Sequence, residues 1–184
     1  MTQRPIFSHH FLIAMPSLKD FNFVKSVIYL YEHNEEGAVG MIINKPMQLN
    51  LGKVLEHLHI DSVELNVSEH PVLMGGPVGQ EHGFILFYNT ETSPQQEPEI
   101  LVSASKELLT HIAQGQGPKD FIITLGYSGW EAGQLEEELA RNDWLIVPFH
   151  HDILFDTPFQ KRWEAAAALI GIDIHRLSGH IGHA

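Results

Sequence analysis

The sequence contains no cysteine. A disulfide framework, a thiol nucleophile and any thiolate metal site are therefore excluded at the outset. Long apolar runs are missing as well, and nothing approaches the ~18 consecutive apolar residues that read as a membrane-spanning helix. The opening MTQRPIFSHHFLIAMP does not make a secretory signal, because its apolar stretch at 11–15 is too short and is flanked by His9, His10 and Pro16. A cytoplasmic protein without membrane attachment is the expectation. Basic charge is also scarce: 11 Lys and Arg stand against 23 Asp and Glu, for a net charge of −12 with the histidines neutral. Lys161-Arg162 is the only adjacent basic pair. A phosphate backbone repels such a surface, so direct nucleic-acid binding is disfavoured.

What is present is ordinary for a folded domain. The chain has 184 residues, 43% of them hydrophobic, enough to bury a core without a disulfide or metal staple. One domain over 1–184 is expected. The β-branched and aromatic run VIYLY at 27–31 and the run GAVGMII at 37–43 flank a polar turn at 32–36, the pattern of a hairpin with a loop longer than the tightest type. Asn50 can cap a helix that carries Leu51, Val54, Leu55 and Leu58 on one face. Strands are expected at 71–74, 83–88, 100–103 and 144–149, an exposed loop at 89–99, and a helix at 106–114 capped by Ser105. FIITL at 121–125 has the continuous apolar pattern of a strand buried on both faces. Beyond it, Ser128 and Glu131 have capping-box spacing for a helix reaching about Arg141. Thr157, Pro158 and Gln160 open a last helix that should bury Phe159, Trp163, Ala167 and Ile170 before Gly171. Strands dominate early and alternate with helices later, which argues for an α+β fold.

The segment GYSGWEAGQ at 126–134 is the most distinctive. A strand passing into a helix there would offer free backbone N–H groups to an anion, although Glu131 and the glutamates at 136–138 oppose a strongly anionic ligand. It is not a serine nucleophile elbow, which needs G-x-S-x-G; Trp130 stands where the second glycine belongs. The turn EHN at 32–34 gathers acid, imidazole and amide groups, and Gly75-Gly76-Pro77 lacks the lysine and hydroxyl of a P-loop. Speculative ligand-binding residues are therefore Glu32, His33, Asn44, Gly75, Gly76, Tyr127, Ser128, Gly129, Trp130 and Gln134. Thirteen histidines invite a metal reading, with Asp156 near His150 and His151. The spacings are irregular, and neighbours on a strand would point to opposite faces. No metal, cofactor or catalytic set is expected.

Taken together, FLIAMP at 11–16, EHN at 32–34, GAVGMIIN at 37–44, GGPV at 75–78, GF at 83–84 and GYSGWEAGQLEEEL at 126–139 resemble the bacterial AlgH/YqgE family. Trp144-Leu145, Leu154-Phe155-Asp156, Arg162-Trp163 and the closing Gly182-His183-Ala184 extend the likeness over nearly the whole chain, in order. The resemblance implies a strongly bent, bifurcated, mostly antiparallel sheet closing into a pseudo-barrel with helices packed around it. It also implies a regulatory role, as a transcriptional regulator by the family's label, and no known catalytic residues. With the acidic charge, that role points to another protein as partner. Two readings follow: a non-enzymatic regulatory or interaction module, using the acidic helix near 136–138 or the 89–99 loop, and a small-molecule binder or enzyme with a pocket where the turns at 32–34, 75–78 and 126–134 converge.

Overall fold

The computed structural model describes residues 7–90 and 99–179. In chain order the strands are β1 (His10–Ala14), β2 (Val27–Asn34), β3 (Gly37–Ile42), β4 (Pro46–Asn50), β5 (Pro71–Met74), β6 (Val78–Asn89), β7 (Glu99–Ser103), β8 (Phe121–Glu131) and β9 (Trp144–Pro148). The helices are α1 (Leu51–His57), α2 (Leu65–Ser68), α3 (Lys106–Ala113), α4 (Gln134–Ala140), α5 (His151–Phe155) and α6 (Phe159–Ala168), followed by a 3-10 turn at Ile174–Gly179. The α+β class is as expected. Most of the expected 89–99 loop and the last five residues lie outside the described residues.

Among the described residues all nine strands join one sheet, in the order β4-β5-β8-β3-β2-β1-β9, with β6 and β7 branching from β8. Every pairing is antiparallel except that of β5 with β8. The branch makes the expected bifurcation. The expected pseudo-barrel does not close, however: β4 and β9 end the path and are not paired with each other.

The fork lies on β8. Ile123 pairs with Val72 of β5 and also with Ile85 of β6, so these two strands occupy opposite edges of its first half. The link from β5 to β6 must therefore cross over β8, and it does so at its glycines. A Cβ added to Gly76 would lie 2.1 Å from the Tyr127 carbonyl carbon and oxygen, and one on Gly75 would lie 2.3 Å from the Gly126 oxygen. Gly126 itself has φ +72°, where a side chain is strained, and its added Cβ would meet the Gly76 oxygen at 2.5 Å. Past the crossing, β8 continues as a partner of β3, with Gly40 opposite Ser128 and Gly37 opposite Glu131. Two main-chain bonds tie the parts together: Gly75 N–H donates to Leu125 (2.8 Å) and Ile42 N–H donates to Gly75 (2.8 Å).

This pairing overturns the expected helix start at Ser128. Residues 126–131 are strand, Ser128 is fully buried, and its hydroxyl donates to the Gly75 carbonyl (3.2 Å) rather than capping a helix. Helix α4 begins only at Gln134, with Gly133 as its N-cap. Local capping spacing lost to the β3 pairing, which satisfies the same backbone groups over four residues. The hairpin also differs from expectation: β2 runs to Asn34, so only 35 and 36 form the loop, and the Asn34 side-chain oxygen accepts from Glu36 N–H (2.8 Å). The EHN residues belong to the strand.

Three apolar clusters flank the sheet. Phe11, Ile13, Tyr29 and Met41 face one side with Trp163 and Ala167 of α6, while Leu12, Ile28, Leu30 and Ile42 face the other with Leu135 of α4. This is the period-2 alternation of a strand buried on both faces, each large side chain contributing roughly 1.5–3 kcal/mol of burial. The third cluster packs Leu51 and Leu55 of α1 and Leu109 and Ile112 of α3 on Ile85 and Ile123. The caps expected for these two helices are present: Asn50 accepts from Lys53 N–H (3.1 Å) and Ser105 from Leu108 N–H (3.2 Å). In α6 the expectation was off by one residue. Pro158 is the N-cap, the Thr157 hydroxyl donates back to Asp152, and Ile170 lies beyond the helix and is exposed.

The crossing gives a stability prediction. Gly76→Ala drives a Cβ into the Tyr127 main chain and is expected to cost about 3 kcal/mol, the upper range for overpacking, or about 6–12 °C in Tm. Gly133→Ala, also at positive φ but with nothing within 4 Å of the added Cβ, is expected to cost only about 1 kcal/mol. Thermal unfolding of the two variants side by side checks the contrast.

Candidate ligand pocket

The speculative site residues separate into two groups. Gly75, Gly76 and Ser128 are buried in the crossing, in contact with main chain. Tyr127 meets Phe84 edge-on there (ring centroids 6.0 Å), and Gly129 is exposed on β8. Asn44 is a structural tie, accepting from Val27 N–H (2.9 Å) and donating to the Lys25 carbonyl (2.8 Å).

The second group gathers around α4. The Phe7 N–H donates to Nδ1 of the buried His33 (3.1 Å), so Nε2 carries the proton and donates to Glu136 (3.2 Å). One Glu138 oxygen accepts from both Trp130 Nε1 (2.9 Å) and Trp144 Nε1 (2.8 Å), and the other accepts from Gln134 (3.0 Å). Glu32 is exposed and accepts from Asn34 (2.6 Å). Glu32 and Trp130 border a shallow cleft of about 190 Å³ that also takes in Asn34 and Glu36. Its edge is acidic, and its polar groups are largely bonded to one another. The turns at 32–34 and 126–134 thus meet, while 75–78 joins the latter in packed interior.

A larger cavity, of about 580 Å³, opens away from the turns expected to converge. Its floor comes from α1 (Val54), β6 (Phe84, Ile85), α3 (Leu109) and β8 (Ile123, Leu125), with Leu58 beside α1. Because β8 alternates, Ile123 and Leu125 face this cavity, while Ile122 packs in the cluster against α5 and α6. Lys53, His57, Gln80, Glu81, Ser105 and Lys106 form the mouth. Ser105 caps α3 through an accepted bond, which leaves its hydroxyl proton available. Among the described residues Lys53 is held by an exposed pair with Glu56 (3.1 Å), which is weak in water. A concave apolar floor with a few polar groups at its rim, within ~300–1,000 Å³, is the usual form of a small-molecule site. No single motif could have disclosed it, since its walls come from residues spread between 49 and 125.

Elsewhere, burial lowers the pKa of His70, whose ring stacks on Phe121 at 4.4 Å, and main-chain hydrogen bonds partly offset the effect. Burial also pulls the Arg162 guanidinium down to about 10, against the opposing pull of Asp156. That arginine donates to the carbonyls of Thr157 (2.8 Å) and Ile43 (2.5 Å), fastening α6 to the end of β3.

The chain is thus an α+β protein whose forked sheet is crossed by its own chain and carries an apolar cavity with a polar mouth. The chain belongs to the AlgH-like family (DUF179), whose model matches residues 11–175. It is 60% identical over 184 residues to a UPF0301 protein of Coxiella burnetii, covering all of both chains, and 48% identical over 181 residues to one of Nitrosococcus oceani, covering 97% of each. The solution structure of the AlgH protein from Pseudomonas aeruginosa superposes with a TM-score of 0.77 at 44% identity over all of both chains. A crystal structure of a Corynebacterium diphtheriae protein, at 16% identity, shares the fold with a TM-score of 0.71 over 98% of this chain and 95% of that one. Among the described residues no helix is long and apolar enough to cross a membrane.

The Glu138 arrangement is testable by itself. Glu138→Ala leaves two buried indole N–H groups without their acceptor and is expected to lower stability by about 2 kcal/mol. Glu138→Gln keeps an acceptor oxygen and should lose less. Urea unfolding followed by tryptophan fluorescence measures both.

Proposed function

We propose that the protein is a non-enzymatic binding module of the cytoplasm, one domain that regulates a protein partner according to the small molecule it holds. The 580 Å³ cavity between α1, α3, β6 and β8 carries this reading. Its floor suits an apolar body. Its mouth sets Lys53, Lys106 and His57 against one lining acid, Glu81, on a chain of net charge −12, which suits a carboxylate or phosphate head. The acidic cleft beside Trp130 offers less, because its hydrogen-bonding groups already satisfy one another. The same self-sufficiency weakens α4 as a docking face: Glu136 and Glu138 are bonded to His33 and to the two indoles.

The test is thermal unfolding with a ten-carbon fatty acid, compared with the alcohol and the amine of equal length. At about 100 times its dissociation constant the acid should add about 2.7 kcal/mol, or roughly 5–11 °C in Tm. The alcohol should do less and the amine least. Val54→Trp fills the floor and should abolish the shift; Lys106→Glu should narrow the gap between acid and amine. Equal shifts with all three probes, or an undiminished shift in Val54→Trp, would contradict the reading.

A further inference from the structure

A second cluster of reactive groups lies away from the pocket, where β9 passes into α5. The chain turns into a helix directly at His151, so the objection that adjacent residues on a strand point to opposite faces does not apply to His151 and the residues after it. Asp156 follows the last residue of this short helix, and its N–H and that of Thr157 both bond the Asp152 carbonyl (3.0 and 2.7 Å). That winding returns the Asp156 carboxylate to the imidazole. One ligand atom from each of His151, Asp152 and Asp156 falls within 4.8 Å of the others.

The imidazole is held in a definite position. Its Nε2 lies 3.0 Å from Asp120, the residue immediately before β8, and its ring is wedged edge-on against Tyr88 and tilted on Phe155, both with centroids 4.9 Å away. In the tautomer that donates Nε2–H to Asp120, Nδ1 presents a lone pair. Facing it are carboxylate oxygens of Asp152 at 3.5 Å and Asp156 at 3.6 Å. Three electron-pair donors thus converge, and a cation between them would satisfy all three. The two separations from Nδ1 fit one: a tetrahedral ion with bonds of about 2.0–2.2 Å separates its ligands by about 3.3–3.6 Å. A carboxylate on the far nitrogen of a ligating histidine is also the usual outer-shell device, fixing the tautomer and raising the basicity of the ligand. Arg162 stands near Asp156, but its Nε and Nη1 are committed to main-chain carbonyls.

We propose that His151 Nδ1, Asp152 and Asp156 form a binding site for a divalent cation, zinc by ligand type and spacing, with Asp120 as the positioning residue. The site keeps a fourth position open to water, since two of its three ligands sit at the surface, with side chains 66% and 64% exposed. It is independent of the pocket and of any ligand bound there.

The test is calorimetric titration of the untagged full chain with Zn²⁺, and with Mg²⁺ for comparison. Wild type should bind one Zn²⁺ that is lost, by roughly 100-fold or more in affinity, in both His151→Asn and Asp156→Asn. Asp120→Asn should weaken it about 10–100-fold. Mg²⁺ should bind far more weakly, and Zn²⁺ should shift the His151 ring nitrogens in NMR spectra. Asp156 is exposed, so its variant folds and keeps the comparison valid. Absence of Zn²⁺ binding by wild type would overturn the site. So would equal binding by wild type, His151→Asn and Asp156→Asn, which would assign the ion to other histidines.

Discussion

The whole architecture depends on one close approach: the 75–77 link passing over β8 at 126–128 with main chain against main chain. No side chain fits between them, because an added Cβ on Gly75, Gly76 or Gly126 would lie within 2.1–2.5 Å of a carbonyl group. The approach is stabilised by the groups it brings together. Gly75 N–H donates to Leu125, while its carbonyl accepts from Ile42 N–H and from the Ser128 hydroxyl, so a buried polar backbone is fully used at the point where three strands meet. Without this crossing β5 and β6 could not take opposite edges of β8, and the sheet would not fork.

The fork decides where chemistry can sit. Because β6 is carried to the far edge of β8, its Phe84 and Ile85 stand beside Ile123 and Leu125, and α1 and α3 pack across them without filling the space. The cavity is thus a by-product of the branch, bounded by the element pairs that the crossing sets apart. On the other arm, β8 continues to β3 and delivers Trp130 to the carboxylate of Glu138, closing a cluster that is complete in itself. One arm ends in a self-satisfied aromatic knot; the other leaves apolar surface and basic charge facing outward.

Local signals were legible in the sequence and non-local ones were not. Asn50 and Ser105 read correctly as caps because capping is settled within four residues. The run at 121–125 read correctly as a doubly buried strand, since Ile122 and Ile123 do enter different clusters. Ser128 and Glu131 misled because their spacing is a valid helix start, and only pairing with residues 37–40, nearly ninety positions earlier, keeps that stretch extended. The glycines were recognised as corners, yet what they permit is a crossing, and a crossing cannot be inferred from one strand at a time. The sequence marks His151 and Asp156 as neighbours but gives no helix between them, because a five-residue helix such as α5 leaves too few positions for a periodic signal. The family resemblance carried the bifurcated sheet correctly and overstated its closure.

Native-state hydrogen exchange tests the central claim most directly, through the amides of Gly75 and Ile42 at the crossing. If the close approach holds the fork together, both amides exchange only through global unfolding, with protection above that of α1 and α3, which border the cavity. Exchange of the Gly75 and Ile42 amides at or below the protection of those helices would contradict it, because the fork would then open while the rest of the fold remained intact.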